Sequence, residues 1–150
     1  NFINSLLIDA QDCENHNIEL LNTYHEIEKN EVRFEEVMTE DAEVLITAYG
    51  TPARIAITVA ENLRARGIKA GVFRPITLWP FPSKRLREIA EQDSVKVILD
   101  VEMSTGQMLD DVNLAVAERK PVRFYGRYGG VIPTVSEIEA AAEKALGEVK

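Results

Sequence analysis

The sequence predicts a three-layer α/β domain, a parallel sheet enclosed between two helical layers. Three observations predict it. Four short apolar runs each precede an amphipathic stretch, the order produced by parallel strands joined through right-handed helical crossovers. The runs are continuous rather than alternating, as in strands covered on both faces. A chain of 150 residues, 45% apolar and 28% charged, can bury one core and lacks the depletion of large apolar side chains that marks disorder.

From Glu14 to Asn30, Ile18, Leu21, Tyr24 (or His25) and Ile27 recur at roughly helical spacing among many acids, which predicts an amphipathic surface helix. Val32 to Val37 alternates and carries charges, which suits an edge strand, with helix as the competing reading. Val44, Leu45, Ile46 and Ala48 form the first buried strand, ending at Gly50. Thr51 is placed to cap the next helix, with Pro52 in its first turn where a missing N–H costs nothing. Ala56, Val59, Ala60 and Leu63 supply its buried stripe, and Gly67 the left-handed stop.

A second strand covers Ala70 to Arg74, followed by a turn through Pro82 whose prolines exclude regular helix. The short helix from Ser83 buries Leu86, Ile89 and Ala90 and turns Lys84, Arg85 and Arg87 to solvent. Val95 to Val101 is the third strand. Ser104 and Gln107 have capping-box spacing for a helix that buries Met108, Val112, Ala115 and Val116. Val122, Phe124 and Tyr125 form the fourth strand, and Thr134 with Glu137 caps a closing helix that buries Ile138, Ala141, Ala142 and Ala145.

Charge and cysteine content narrow the function. A net charge of −8 without a basic stripe disfavours nucleic acid. The single cysteine, Cys13, excludes an intramolecular disulfide and cannot supply the thiolates of an iron–sulfur cluster. No run of 18 apolar residues suggests a membrane span, and residues 1–10 lack a secretion-signal pattern, so a cytoplasmic protein is expected. The chain opens at Asn1 with a short apolar stretch, Phe2, Ile3, Leu6, Leu7 and Ile8, and is read as a fragment of something larger.

Functional loops of a parallel sheet gather at the carboxyl ends of its strands. Gly50-Thr51-Pro52-Ala53 could present helix N–H groups to an anion, yet it lacks a phosphate-binding glycine pattern, and a plain capped helix is preferred. Asp100 and Glu102 point to one side of their strand. A carboxylate there could act as a general acid or base. With no histidine near in sequence, bonding to loop N–H groups or meeting a partner chain is favoured. Cys13 and His16 have a metal-like spacing but too few companions. In Gly126-Arg127-Tyr128-Gly129-Gly130, Arg127 could clamp a phosphate or carboxylate, or the segment is a tight surface turn. Trp79 and Phe81 either tuck into the domain or anchor a subunit contact.

Four segments in order resemble the carboxy-terminal part of the α subunit of 2-oxoacid:ferredoxin oxidoreductases: Ala42 to Thr51, Arg74-Pro-Ile-Thr-Leu-Trp-Pro-Phe-Pro82, Val101 to Met108, and Phe124-Tyr-Gly-Arg-Tyr-Gly-Gly130. The second alone is similar to the wider transketolase carboxy-terminal domain, and Tyr24 to Phe34 is similar to the branched-chain 2-oxoisovalerate type. The resemblance implies a sheet of five strands, mostly parallel with one antiparallel edge member, Val32 to Val37, in a domain over 31–150 preceded by a helical lead-in over 1–30. It also implies a whole enzyme that decarboxylates a 2-oxoacid on thiamine diphosphate with Mg²⁺. That enzyme would pass electrons through iron–sulfur clusters to ferredoxin and form an acyl-CoA with coenzyme A.

No catalytic, cofactor-binding or metal residue is carried over to this chain, and the isolated domain is expected to be inactive. Trp79, Phe81, Glu102, Gln107, Arg127, Gly129 and Gly130 are the expected interface or substrate-approach residues, with other subunits as partners. The alternatives are a stand-alone flavodoxin-like nucleotide or flavin-binding domain, motivated by the Gly50-Thr51 helix start, and the carboxy-terminal domain of a transketolase or 2-oxoacid dehydrogenase.

Overall fold

Local chemistry sets where each element starts and stops in the computed structural model, which describes residues 6–149; Phe2 and Ile3 of the opening apolar stretch lie outside them. Helix α1 spans Ala10–Asn30 and starts four residues earlier than the apolar spacing suggests. The reason is Asp9, whose carboxylate accepts the Gln11 and Asp12 N–H groups at 2.9 and 3.1 Å and so caps the helix. Strand β1 is Phe34–Val37, with the expected edge position and strand rather than helix character.

Strand β2 (Val44–Ala48) leads into α2 (Gly50–Ala65), β3 (Ala70–Pro75), α3 (Ser83–Ala90), β4 (Val97–Glu102), α4 (Gln107–Val116), β5 (Val122–Gly126) and α5 (Val135–Gly147). The five strands lie in the order β1-β3-β2-β4-β5. Strands β2 to β5 are mutually parallel, whereas β1 runs antiparallel to β3, pairing Phe34 with Pro75 and Val37 with Val72. The expected five-stranded sheet with one antiparallel edge member is therefore present.

Alternation along the strands separates two cores. Val44, Ile46 and Ala48 of β2 face α2 and α5, meeting Ala56, Leu63 and Ile138. Leu45, Phe73 and Ile98 face α3 and α4, meeting Leu86, Ile89 and Val112. Strands β2 and β4 are buried throughout, which explains why their sequences are mostly apolar.

Three helix details differ from the sequence expectation. Thr51 does not cap α2: Tyr49 is the N-cap, with no side-chain bond, and Gly50 turns the chain into the helix at φ +58°. Ser104 does not cap α4, because Gly106 at φ +103° moves the helix start beyond its reach. Arg85 is not simply solvated. Its Nε and Nη2 donate to the Glu36 carboxylate at 2.6 and 3.0 Å, fastening α3 to the edge strand β1. Its neighbour Arg87 donates to the Ala115 carbonyl on α4 at 3.1 Å. Thr134 and Glu137 do form the expected capping box at α5, and Gly67 closes α2 at φ +84° as expected.

Gly71 in β3 is required by close approach. A Cβ there would lie 2.5 Å from the Met38 carbonyl oxygen. Arg64 holds that same turn, donating to the carbonyls of Met38 at 2.8 Å and Ala70 at 2.7 Å and pairing with Asp41 at 2.6 Å. A polar clamp thus replaces apolar volume where β1 is folded back beside β3.

Candidate functional site

Because β2 to β5 are parallel, their carboxyl ends bring the segments after Ala48, Pro75, Glu102 and Gly126 to one edge of the sheet. Chain order reverses between β2 and β4, the position where open α/β sheets form a crevice. The residues that fill this point are Thr47, Asp100 and Glu102, all fully buried on the α3–α4 side.

Glu102 is the cap of α4. Its carboxylate accepts the N–H groups of Met108 at 3.3 Å and Leu109 at 3.0 Å, and the Ser104 hydroxyl donates to it as well. A carboxylate at a helix N-terminus also opposes the helix dipole favourably. Burial pushes the Glu102 pKa up, but the hydrogen bonds from Asp100, Ser104, Met108 and Leu109 outweigh it and hold the group below the usual carboxylate value.

Asp100 behaves in the opposite sense. Burial raises its pKa to about 8, Glu102 beside it adds to the rise, and the Thr47 hydroxyl, donating at 2.7 Å, opposes it. The other oxygen of Asp100, Oδ2, finds no donor among the described residues. Two carboxylates could only repel there; a proton on Asp100 turns Oδ2 into a donor to Glu102. The pair therefore holds one proton at neutral pH, and its chemistry is spent inward, on fixing the loop from Met103 to Gly106. The sequence alone gave no sign of the raised Asp100 pKa.

The remaining candidates are arranged around this closed centre. Trp79 is 56% exposed, and its ring meets Tyr24 of α1 edge-on at 5.6 Å. Phe81 tucks, half-buried, against the α3–α4 core. Gln107 folds back on its own loop, accepting the Thr105 N–H and donating to the Thr105 hydroxyl, both at 3.1 Å. Arg127 donates its backbone N–H to the Glu102 carbonyl at 3.0 Å and pairs with Glu137 at 3.3 Å. Gly129 and Gly130 adopt φ +62° and +83° in an exposed turn. Glu102, Gln107 and Arg127 thus belong to adjoining segments at the β4–β5 end, while Trp79 and Phe81 lie towards α1 and α3. Cys13 and His16 are both on α1, and no three His, Cys, Asp or Glu side chains among the described residues converge to hold a metal ion.

Residues 42–138 match the family model of the pyruvate:ferredoxin oxidoreductase core domain II. The chain belongs to this family. Among curated relatives of this core domain II chain, the ketoisovalerate oxidoreductase subunit VorB of Methanothermobacter marburgensis is 41% identical over 148 residues. That alignment covers 99% of this chain and 41% of the relative. The 2-oxoglutarate synthase subunit KorA of the same organism is 36% identical over 100 residues, covering 67% of this chain and 26% of KorA. The core domain II chain thus spans about two-fifths of the length of VorB.

Among solved structures, the 2-oxoglutarate:ferredoxin oxidoreductase from Magnetococcus marinus aligns with TM-score 0.75 at 20% identity over 93% of this chain and 24% of that one. A split-gene transketolase, an inactive β4 tetramer, aligns with TM-score 0.65 at 25% identity over 79% and 42%. These place the domain II fold with the transketolase carboxy-terminal architecture, and the family favours the oxidoreductase reading over a flavodoxin-like one. No helix among the described residues is long and apolar enough to cross a membrane.

Sequence reasoning missed Thr47 and Glu36. The signal for Thr47 was a single hydroxyl inside an otherwise apolar strand, two positions beyond Leu45 on the same face. For Glu36 no local signal exists, because its partner Arg85 is 49 residues away.

Proposed function

We propose that this chain is an assembly and interface domain of a 2-oxoacid:ferredoxin oxidoreductase, with residues 31–150 forming the domain and residues 1–30 a helical lead-in. One observation carries the reading: a core domain II match over 97 of 150 residues joined to a carboxylate centre whose hydrogen bonds all turn inward. The exposed groups at the carboxyl edge, Trp79 and the Arg127 to Gly130 turn, then serve contact rather than chemistry.

In the intact complex, thiamine diphosphate with Mg²⁺, iron–sulfur clusters and coenzyme A supply decarboxylation, electron transfer to ferredoxin and acyl transfer. The residues present do not fit the first two groups. One cysteine cannot hold a cluster, and the described residues gather no carboxylate or histidine set for a metal. Those groups belong to other polypeptide, and the complex works in the cytoplasm. For coenzyme A, Arg127 is a positioning residue at most, since Glu137 already engages it.

The test is direct. The purified chain, mixed with thiamine diphosphate, Mg²⁺ and 2-oxoisovalerate, should release no CO₂ and show no flavin absorbance. Decarboxylation by the chain alone, or a bound flavin, contradicts the assignment.

A further inference from the structure

Helix α1 buries no side chain. A 21-residue helix with so little burial rests largely on local propensity, which is marginal in water. Yet α1 is not polar all round. Leu20, Tyr24 and Ile27 share one face, with Leu21 and Ile18 continuing it; Ile18 is 51% and Leu21 52% exposed. The Tyr24–Trp79 ring contact joins this face to the loop after β3, where Leu78 and Trp79 are also exposed. A helix face and a loop far apart in sequence thus form one apolar surface.

Charge decides what covers it. Helix α1 carries Asp12, Glu14, Glu19, Glu26 and Glu28 against the single Lys29, within a chain of net charge −8. A second copy would bring like charge against like and be repelled. An anionic membrane surface is disfavoured for the same reason, since interfacial helices carry Lys and Arg on their polar face. We propose that the α1 face around Ile18, Leu21 and Tyr24, together with Trp79, docks a protein surface that is apolar at its centre and rimmed by Lys and Arg. This deepens the assembly reading and rests on it, by naming where the neighbour binds and the charge it bears.

Trp79 is the chain's only tryptophan and reports on its own surface. The chain is titrated with two amphipathic helical peptides of about 20 residues, one of Leu and Lys and one of Leu and Glu, while Trp79 emission is followed. The Leu/Lys peptide should give a saturable blue shift and the Leu/Glu peptide none. Ile18→Glu with Leu21→Glu should weaken binding roughly tenfold or more even though it makes α1 more acidic. Ile18→Ala with Leu21→Ala should weaken it without changing charge, and circular dichroism should show both variants folded.

The inference is overturned by tighter binding by the glutamate variant, by a dimer in light scattering that the variant abolishes, or by an equal emission shift on phosphatidylserine vesicles. An oxidoreductase complex that needs this chain for turnover, with a chain that ignores the Leu/Lys peptide, would defeat this inference and leave the assembly reading standing.

Discussion

The Thr47 hydroxyl donates a 2.7 Å hydrogen bond to Asp100 from the neighbouring strand, with both residues fully buried. This bond joins β2 to β4 at the point where chain order reverses, and it accounts for one oxygen of a carboxyl group whose other oxygen finds no donor among the described residues. Thr47→Val keeps the shape and removes the side-chain donor that lowers the Asp100 pKa. It should destabilise by about 1 kcal/mol and push the Asp100 titration higher, measured by carboxyl NMR shifts against pH.

Asp100 also sets an alkaline limb of stability. Its folded pKa of about 8 lies above the ordinary 3.8, so between those values the folded chain keeps a proton that the unfolded chain has lost. Its contribution is complete below the unfolded value and is lost as pH rises through the folded one. Glu102, held below its ordinary value, contributes in the opposite sense, losing its share only as pH falls through its folded pKa. Asp111 on α4, whose pKa is raised by burial and by Asp110 and Glu102, acts in the same sense as Asp100. Asp100→Asn should therefore remove about 2 kcal/mol of the wild-type loss between pH 6 and 8. Paired urea melts at those pH values check it.

Glu102→Ala strips α4 of its cap. The Met108 and Leu109 N–H groups lose their acceptor in a buried setting, at a cost of about 2 to 4 kcal/mol. Hydrogen exchange should accelerate first at those two amides and least in α2, on the far side of the sheet.

Gly71→Ala places a methyl group 2.5 Å from the Met38 carbonyl oxygen, which is backbone and cannot swing aside. The turn that folds β1 beside β3 must move, costing about 2 kcal/mol. Thermal melting checks the loss, and NMR shift changes should concentrate in β1.

Arg85→Met breaks the two hydrogen bonds to Glu36. The pair is partly exposed, so the cost is held to about 1 kcal/mol after solvent screening. Arg85 holds the Glu36 pKa down, and burial opposes it. That contribution is present above the ordinary carboxylate value and fades as pH falls through the folded one. The wild-type advantage over the variant, read from urea melts, should shrink in acid.

The sheet and its helices were legible because their causes are local. Val44 to Ala48 announces a doubly covered strand by composition, and Thr134 with Glu137 announces a helix start by spacing. The edge strand at Val32 to Val37 was legible from its alternation and charge, but its antiparallel direction only through resemblance, since nothing in Phe34 to Val37 states its direction. Ser104 misled because a capping-box spacing does not reveal that Gly106 takes a left-handed conformation two residues later. The Asp100–Glu102 alternation was visible, yet the proton held on Asp100 depends on burial beneath α4, which is tertiary. Arg85 misled for the same reason: solvent-facing by helix phase, it reaches a carboxylate on a strand 49 residues away.

Reconstitution of the oxidoreductase from its subunits, with and without the core domain II segment, reads the assembly role itself. Ferredoxin reduction dependent on 2-oxoacid and coenzyme A should require the segment, which should co-purify with the complex in fixed ratio. A complex that assembles and reduces ferredoxin equally well without residues 42–138 would contradict the account.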